Sequence, residues 1–211
     1  KEGALVVDMS SSDPMETRKL AGELAKAGVT LLDAPVSGGL RKAVAGTLSI
    51  MLGSDDAAAA ARVTPVLEAM GSVVPTGPLA SGHASKALNN YVSAAGLAAA
   101  CEALIVGRKF GLNPETLVDV LNVSTGRNNS TENKLKQFVL NGEYRKAGFS
   151  LDLMAKDVAL AKSLSSGLGL DLPCIEEVSD LWSAARERLE KDADHTEIFS
   201  YLEMLAGRDG A

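Results

Sequence analysis

Lys86 and Asn90 stand one helical turn apart in the stretch Gly82-His83-Ala84-Ser85-Lys86-Ala87-Leu88-Asn89-Asn90, so an ammonium and a side-chain amide point the same way. A cation and a hydrogen-bonding amide directed at one place are the first candidate for chemistry. An isolated lysine on an amphipathic helix is usually solvated, but this one has only Gly82, Ala84, Ser85 and Ala87 close by, and two poor helix formers, Asn89 and Asn90, follow it. Local violations of that kind mark functional places. The second candidate is Asp33-Ala34-Pro35-Val36-Ser37-Gly38-Gly39, where a short apolar strand ends in a Gly-Gly loop. The Ser37 hydroxyl and the successive backbone amides there suit a carboxylate, in a position where α/β proteins bind ligands. Read alone, the loop is equally a tight strand-to-helix turn. Arg127, in the polar turn Thr125-Gly126-Arg127-Asn128-Asn129-Ser130, is a weaker candidate for a substrate contact.

The elements that must hold these residues change character along the chain. A first strand, Ala4 to Asp8, is followed by cap candidates Ser10 to Pro14 and a helical pattern from Met15 to Lys26. A second strand runs from Val29 to Asp33, and this β–α–β order predicts two parallel strands joined by a right-handed crossover. A strand over Gly46 to Gly53, an Ala-rich helix from Ala57 to Met70 capped by Ser54-Asp55-Asp56, and a strand over Ser72 to Pro75 follow. From Ser81 strand signals cease. The apolar pattern through Leu88, Val92, Ala95, Ala99, Leu104 and Val106 meets no breaker until Gly111, so one helix of about 45 Å is predicted at 1.5 Å per residue. Further helices are predicted from Asn113-Pro114, over Thr131 to Leu140, Leu151 to Leu168, Pro173 to Glu190 and Thr196 to Leu205. The fold class is therefore α/β, the later half of a Rossmann-like sheet, followed by a long connecting helix and an all-α domain. The expected division is residues 1–77 and residues 78–211.

Composition narrows the partners. The 211 residues are 46% apolar, enough for a sizeable core. Lys and Arg total 21 against 27 Asp and Glu, a net charge of −6 without a basic run, which argues against nucleic acid or an anionic membrane surface. No uninterrupted apolar run reaches the roughly 18 residues that span a bilayer, and the cytoplasm is the default compartment. Cys101 and Cys174 have no metal-ligand or disulfide spacing and read as buried, reduced thiols; no metal site is expected. His83 and His195 read as surface or capping residues, and Trp182, Phe199 and Tyr201 as core or interface packing.

Six spaced motifs carry a resemblance: Asp8-Met9-Ser10-Ser11-Ser12-Asp13-Pro14, Asp33 to Gly39, Gly46-Thr47-Leu48, Gly82 to Asn90, Ser124-Thr125-Gly126-Arg127 and Leu153-Met154-Ala155-Lys156-Asp157. Together they resemble the β-hydroxyacid dehydrogenase family, which includes 3-hydroxyisobutyrate dehydrogenase and tartronate semialdehyde reductase. The resemblance runs from Leu5 to about Leu205. It implies an NAD- or NADP-dependent enzyme acting on a small carboxylate-bearing semialdehyde or 3-hydroxy acid, assembled as a homodimer or homotetramer through the helical domain. In that reading Lys86 is the catalytic lysine, giving a proton to the carbonyl oxygen as hydride arrives, or helping to take it in the reverse direction. Asn90 orients substrate and lysine, and Ser37, Gly38 and Gly39 hold the substrate carboxylate. Ser11 contacts the nicotinamide half, Lys156 reaches the cofactor from the helical domain, and Asp157 supports it.

Three departures qualify the resemblance. No Gly-x-Gly-x-x-Gly occurs in these residues, so the pyrophosphate cradle of the family is missing, and the sheet is expected to expose an edge that further chain or a partner must cover. Arg41-Lys42 stands where the family carries a glycine, which is expected to reshape the loop or add positive charge for an anionic substrate. Asn128-Asn129 replaces a bulkier, less polar pair and weakens the case for a branched apolar substrate. Two rival readings remain: a decarboxylating enzyme like 6-phosphogluconate dehydrogenase, and a non-catalytic oligomerisation module.

Overall fold

A computed structural model of the chain describes residues 3–208. The termini of the two expected domains, residues 1–2 and 209–211, lie outside the described residues. The chain forms two compact units that do not follow chain order: residues 1–89 with 159–172, and residues 90–158 with 173–211.

The first unit is built on a five-stranded mixed sheet. β1 (Leu5–Asp8) and β2 (Thr30–Asp33) are parallel in register, Leu5 opposite Thr30 and Asp8 opposite Asp33, as the β–α–β pattern requires. The crossover helix α1 (Pro14–Ala25) starts on Asp13, whose carboxylate accepts from the amides of Met15 and Glu16, with Pro14 in the first helical turn. After β2 the chain runs on in the same direction for a few residues before it reverses. β3 (Val36–Ser37), absent from the sequence-based expectation, pairs antiparallel with β4 (Leu48–Gly53), and β4 meets the end of β2 antiparallel at Asp33 and Gly53. Residues 38–47, including the short helix α2 (Gly39–Val44), are too few for the crossover that a parallel return needs. The helix α3 (Ala57–Glu68), capped by Asp56, then returns the chain to β5 (Gly71–Gly77), parallel to β4. The order is β1-β2-β4-β3, with β5 also on β4. Leu32, Ile50 and Leu52 from the strands, Ala34 just after β2, and Ala59 and Leu67 from α3 form the core.

α4 (Ser81–Phe110) is the single long helix that the unbroken pattern predicts. Although no apolar run is continuous, an 18-residue window of it has a mean hydropathy of 1.3, long and apolar enough to cross a bilayer by length and composition. In the second unit Ala94, Leu97, Cys101 and Leu104 of α4 enter a core with Val118 of α5 (Pro114–Val123), Trp182 of α8 (Pro173–Arg188) and Ile198 of α9 (Ile198–Arg208). Val158 of α7 (Leu151–Gly167) joins the same core. Val92, Ala99 and Val106 do not enter it and face outwards.

The helix expected over Thr131 to Leu140 is instead two pieces. α6 (Asn129–Asn133) starts on a capping box at Asn128, and a π-helical turn, Leu135–Val139, follows. The break sits at Lys134, where the carbonyl takes amides from both Phe138 and Val139. Cys174 is exposed, against expectation, because in the first turn of α8 the neighbouring Ile175 takes the inward position, whereas Cys101 is wholly buried. His195 is buried, not a surface cap: Nδ1 stands 2.9 Å from Asp194 and 3.0 Å from the Phe149 carbonyl, while Asp194 does the capping.

Candidate functional site

In the first unit the start of α4 is fixed by one buried carboxylate. Asp33, at the end of β2, is wholly buried and accepts from the amides of Ala80 and His83, both at 2.7 Å. Two backbone donors left over at a helix start are satisfied by a single anion, which the positive end of the helix also favours. The fit is close. A Cβ on Gly53 would lie 2.4 Å from Asp33 Oδ1, and one on Gly82 would lie 2.2 Å from the Met51 carbonyl and 2.7 Å from Asp33 Oδ2. Ala80 reaches this turn with φ at 73°, a left-handed conformation that costs a non-glycine residue about 1 kcal/mol. One turn beyond His83 comes Lys86, only 9% exposed, unlike the largely solvated side chain usual for lysine.

The Ser37 loop grows from the same strand end, four residues after Asp33. Ser37 pairs with Ser49 of β4, and Gly38 and Gly39 turn the chain into α2 with φ values of 138° and 62°. A side chain at Gly38 would collide with Lys42, 2.7 Å from its Cβ. Positive φ at both positions favours glycine, and an exposed loop of this kind can offer backbone amides to an anion. Arg41 and Lys42 are exposed on α2 and form no part of a buried loop.

On the other side of Asp33, β1 ends at Asp8, whose carboxylate gathers the following turn: the Ser10 amide at 2.9 Å, the Ser10 hydroxyl at 2.6 Å and the Ser12 hydroxyl at 3.4 Å. Burial alone raises the Asp8 carboxyl, yet these hydrogen bonds and the imidazole of His83 outweigh it and hold the group below the ordinary aspartate range. Ser11 sits in this turn, half-buried. His83, expected at the surface, is wholly buried against Thr17 and Asp8. Sequence reasoning missed the roles of Asp33, His83 and Thr17; the one signal was an aspartate closing an otherwise apolar strand.

In the second unit Asn90, Lys156 and Asp157 come together. The Asn90 amide nitrogen donates to Asp157 Oδ2 at 2.5 Å, both residues being buried. Lys156 Nζ stands 3.0 Å from Asp157 Oδ1, charge to charge without hydrogen-bond geometry, and its side chain is 41% exposed. Asp157 thus serves Asn90 as well as Lys156, a division of labour that the motif did not reveal. Arg127 lies on an exposed turn, 3.8 Å from Glu132. Asn128 spends its side-chain oxygen on the amides of Ser130 and Thr131 and donates to the Gly96 carbonyl, so it is a structural cap.

For a nicotinamide cofactor the residues fit one end only. The Ser10–Ser12 turn at the carboxyl end of a parallel strand and the half-exposed Lys156 ammonium offer hydroxyls and positive charge, whereas no glycine-rich pyrophosphate turn exists in the sequence. Among the described residues no cluster of His, Cys, Asp and Glu could hold a metal ion.

Comparison with known proteins bears on both halves of the chain. Residues 1–77 match a family model described as the NAD binding domain of 6-phosphogluconate dehydrogenase, and residues 80–202 match one described as the NAD-binding domain of NADP-dependent 3-hydroxyisobutyrate dehydrogenase. The chain is 34% identical over 208 residues to 2-(hydroxymethyl)glutarate dehydrogenase of Eubacterium barkeri, covering 98% of this chain and 68% of the relative. To the mitochondrial 3-hydroxyisobutyrate dehydrogenase of Mus musculus it is 33% identical over 209 residues, 96% of this chain and 62% of that protein. Among solved structures, the 3-hydroxyisobutyrate dehydrogenase of Mycobacterium tuberculosis with L-serine superimposes with a TM-score of 0.87 at 30% identity, covering 96% of this chain and 71% of that one. The chain therefore spans about two thirds of the length of the relatives it matches. On motifs, fold and matches over nearly its whole length, this chain belongs to the β-hydroxyacid dehydrogenase family, a family of NAD(P)-dependent hydroxyacid dehydrogenases.

Proposed function

We propose that the protein interconverts a small 3-hydroxy acid and its semialdehyde, with Lys86 as the proton-transfer group. The observation that carries this reading is the depth of Lys86, a mostly buried lysine one turn beyond a helix start fixed by a buried aspartate. When bound, NAD or NADP supplies or accepts the hydride. Ser37, Gly38 and Gly39 bind the substrate carboxylate through a hydroxyl and backbone amides, and so fix which carbon reacts. Lys86 donates a proton to the carbonyl oxygen in reduction and withdraws the hydroxyl proton in oxidation. Asn90, its amide held by Asp157, orients substrate and lysine. Ser11, Lys156 and Asp157 belong to the cofactor side, and Arg127 to the substrate side.

The domain spans we propose are 1–77 and 78–211, supported by the limits of the two family-model matches. A homodimer is the proposed assembly, with a second copy of the chain covering the outward stripe of α4. A reducing compartment, the cytoplasm by default, is proposed from the two free cysteines.

Lys86→Ala tests the chemistry: turnover should fall below about one thousandth of wild type, the range a positioned acid-base group supplies, while cofactor affinity stays within twofold. Retention of most activity would remove Lys86 from the mechanism. The description of the match over residues 1–77 favours one alternative, oxidative decarboxylation as in 6-phosphogluconate dehydrogenase. Carbon dioxide among the products would establish it over the semialdehyde reading.

A further inference from the structure

His83 has two ring nitrogens and a hydrogen bond for only one of them. Its side chain is wholly buried, with Nδ1 2.8 Å from Thr17 Oγ1. The Thr17 hydroxyl itself donates to the Asp13 carbonyl at 2.9 Å, one turn back in α1. A hydroxyl carries one proton, so Nδ1 must bear the imidazole proton and donate to Thr17. That places one proton on Nδ1, and for Nε2 to bond a carboxylate the ring must carry a second proton there. Among the described residues Nε2 has no hydrogen-bond partner, and it stands 3.8 Å from Asp8 Oδ2. Asp8 is the carboxylate that gathers the Ser10–Ser12 turn. On the opposite side Asp33 Oδ2 lies 4.0 Å from Nδ1 and accepts the amide of His83 itself. The charged groups facing the ring are thus Asp8 from the end of β1 and Asp33 from the end of β2, while α1 presents the Thr17 hydroxyl. A purely structural histidine would leave no buried polar atom unsatisfied, since that costs stability. This one aims its unsatisfied atom at the carboxylate that orders the cofactor-side turn.

We propose that His83 is a positioning residue, whose protonated Nε2 donates to Asp8 and so holds the turn that carries Ser11 in register with the first turn of α4, the turn before Lys86. The inference rests on the assignment of Ser11 to the nicotinamide side. His83 touches neither substrate nor cofactor in this account; it acts through Asp8.

The two nitrogens can be separated by substitution. An asparagine amide reaches where Nδ1 sits and keeps the contact with Thr17, whereas a glutamine amide reaches where Nε2 sits and can donate to Asp8. In the protein expressed from its complete reading frame, His83→Asn is expected to raise KM for the nicotinamide cofactor about tenfold, the loss of one charge-assisted hydrogen bond. His83→Gln should recover most of that loss, with both variants melting close to wild type. Nitrogen-15 NMR of the imidazole supplies a readout that needs no turnover: the wild-type ring should carry a proton on each nitrogen, and its Nε2 resonance should shift in Asp8→Asn. The proposal is overturned by an unprotonated Nε2, by His83→Asn behaving as wild type, or by Asn and Gln losing cofactor affinity equally. Ser11→Ala reads the underlying assignment separately. An unchanged cofactor KM there, beside a raised KM in His83→Asn, removes Ser11 and keeps the role of the histidine; a raised KM in Ser11→Ala beside a normal His83→Asn removes the histidine alone.

Discussion

Lys134 shows how strongly one residue can depend on its surroundings. Burial pushes its ammonium down to about 8, against the opposing pull of Asp194 and Cys101, and it stands at the break between α6 and the π-helical turn. An unfolded lysine titrates near 10.5. Between those two values the unfolded chain holds more protons than the folded one, so stability should rise as pH rises through that window, and the penalty is fully present below about 8. Lys134→Met removes the buried charge. We expect it to raise stability at pH 7 by on the order of 2 kcal/mol and to flatten the pH dependence of the melting temperature above pH 8. A melting temperature that falls in the variant, measured by calorimetry across pH 6 to 10, would show that the ammonium is needed where it is. Nothing around Lys134 in the sequence marks it, because its cost comes from residues far along the chain. The opposite holds for Lys86 and Asn90, which announce themselves through small neighbours and poor helix formers within a single turn.

The element that the chain depends on is the first turn of α4. Asp33, Gly53, Gly82 and Ala80 meet there with almost no free space, and the backbone of Ala80 accepts an unfavourable φ to close it. Glycines on helices can therefore be told apart by surroundings. Gly82→Ala should cost about 2–4 kcal/mol, because the new methyl meets a backbone carbonyl that cannot move aside. Gly22, in the exposed interior of α1, has nothing within 4 Å of where a Cβ would stand. Gly22→Ala should raise stability by about 0.5–1 kcal/mol through helix propensity. Chemical denaturation of the two variants side by side checks both signs, and equal effects would contradict the packing described for Gly82. The four-residue distance from Asp33 to Ser37 gives this corner a second consequence. The carboxylate-binding loop and the turn before Lys86 both hang from one strand end, so damage at Asp33 should reach both.

At the scale of the whole molecule, α4 continues from one compact unit into the other, and its stretch in the second unit carries an outward stripe. Val92, Ala99 and Val106 repeat at seven-residue spacing, with Phe110 on the same face; Val106 is 68% and Phe110 83% exposed. From Val92 to Phe110 the stripe is about 27 Å long, the dimensions of a helix-pairing seam. Isolated exposed apolar residues are ordinary, but a continuous row is a surface that expects cover. With the homodimer proposed above, Val106→Asp should convert dimers to monomers at micromolar concentration without loss of helix content. Sedimentation velocity reads this directly, and an unchanged sedimentation coefficient places the interface elsewhere.

The sequence by itself determined the family, the α/β-then-α order of elements, the long helix and the identity of the motif residues. It could do so because hydrophobic periodicity, caps and glycine-bearing loops act over a few residues, and six motifs in fixed order leave little freedom. Legible for the same reason were the burial of Trp182, Phe199 and Tyr201. Only the tertiary structure decided what depends on residues distant in the chain. The reversal from β3 into β4, the burial of His83 and His195, the exposure of Cys174, the bond between Asn90 and Asp157, and the use of Asp33 as the anchor of α4 all depend on positions separated by loops. An aspartate closing a strand looks the same in sequence whether it faces water or caps a helix 50 residues later. Which of the two it does is set by the sheet order that brings β2 beneath the start of α4, and that order is written in no local pattern.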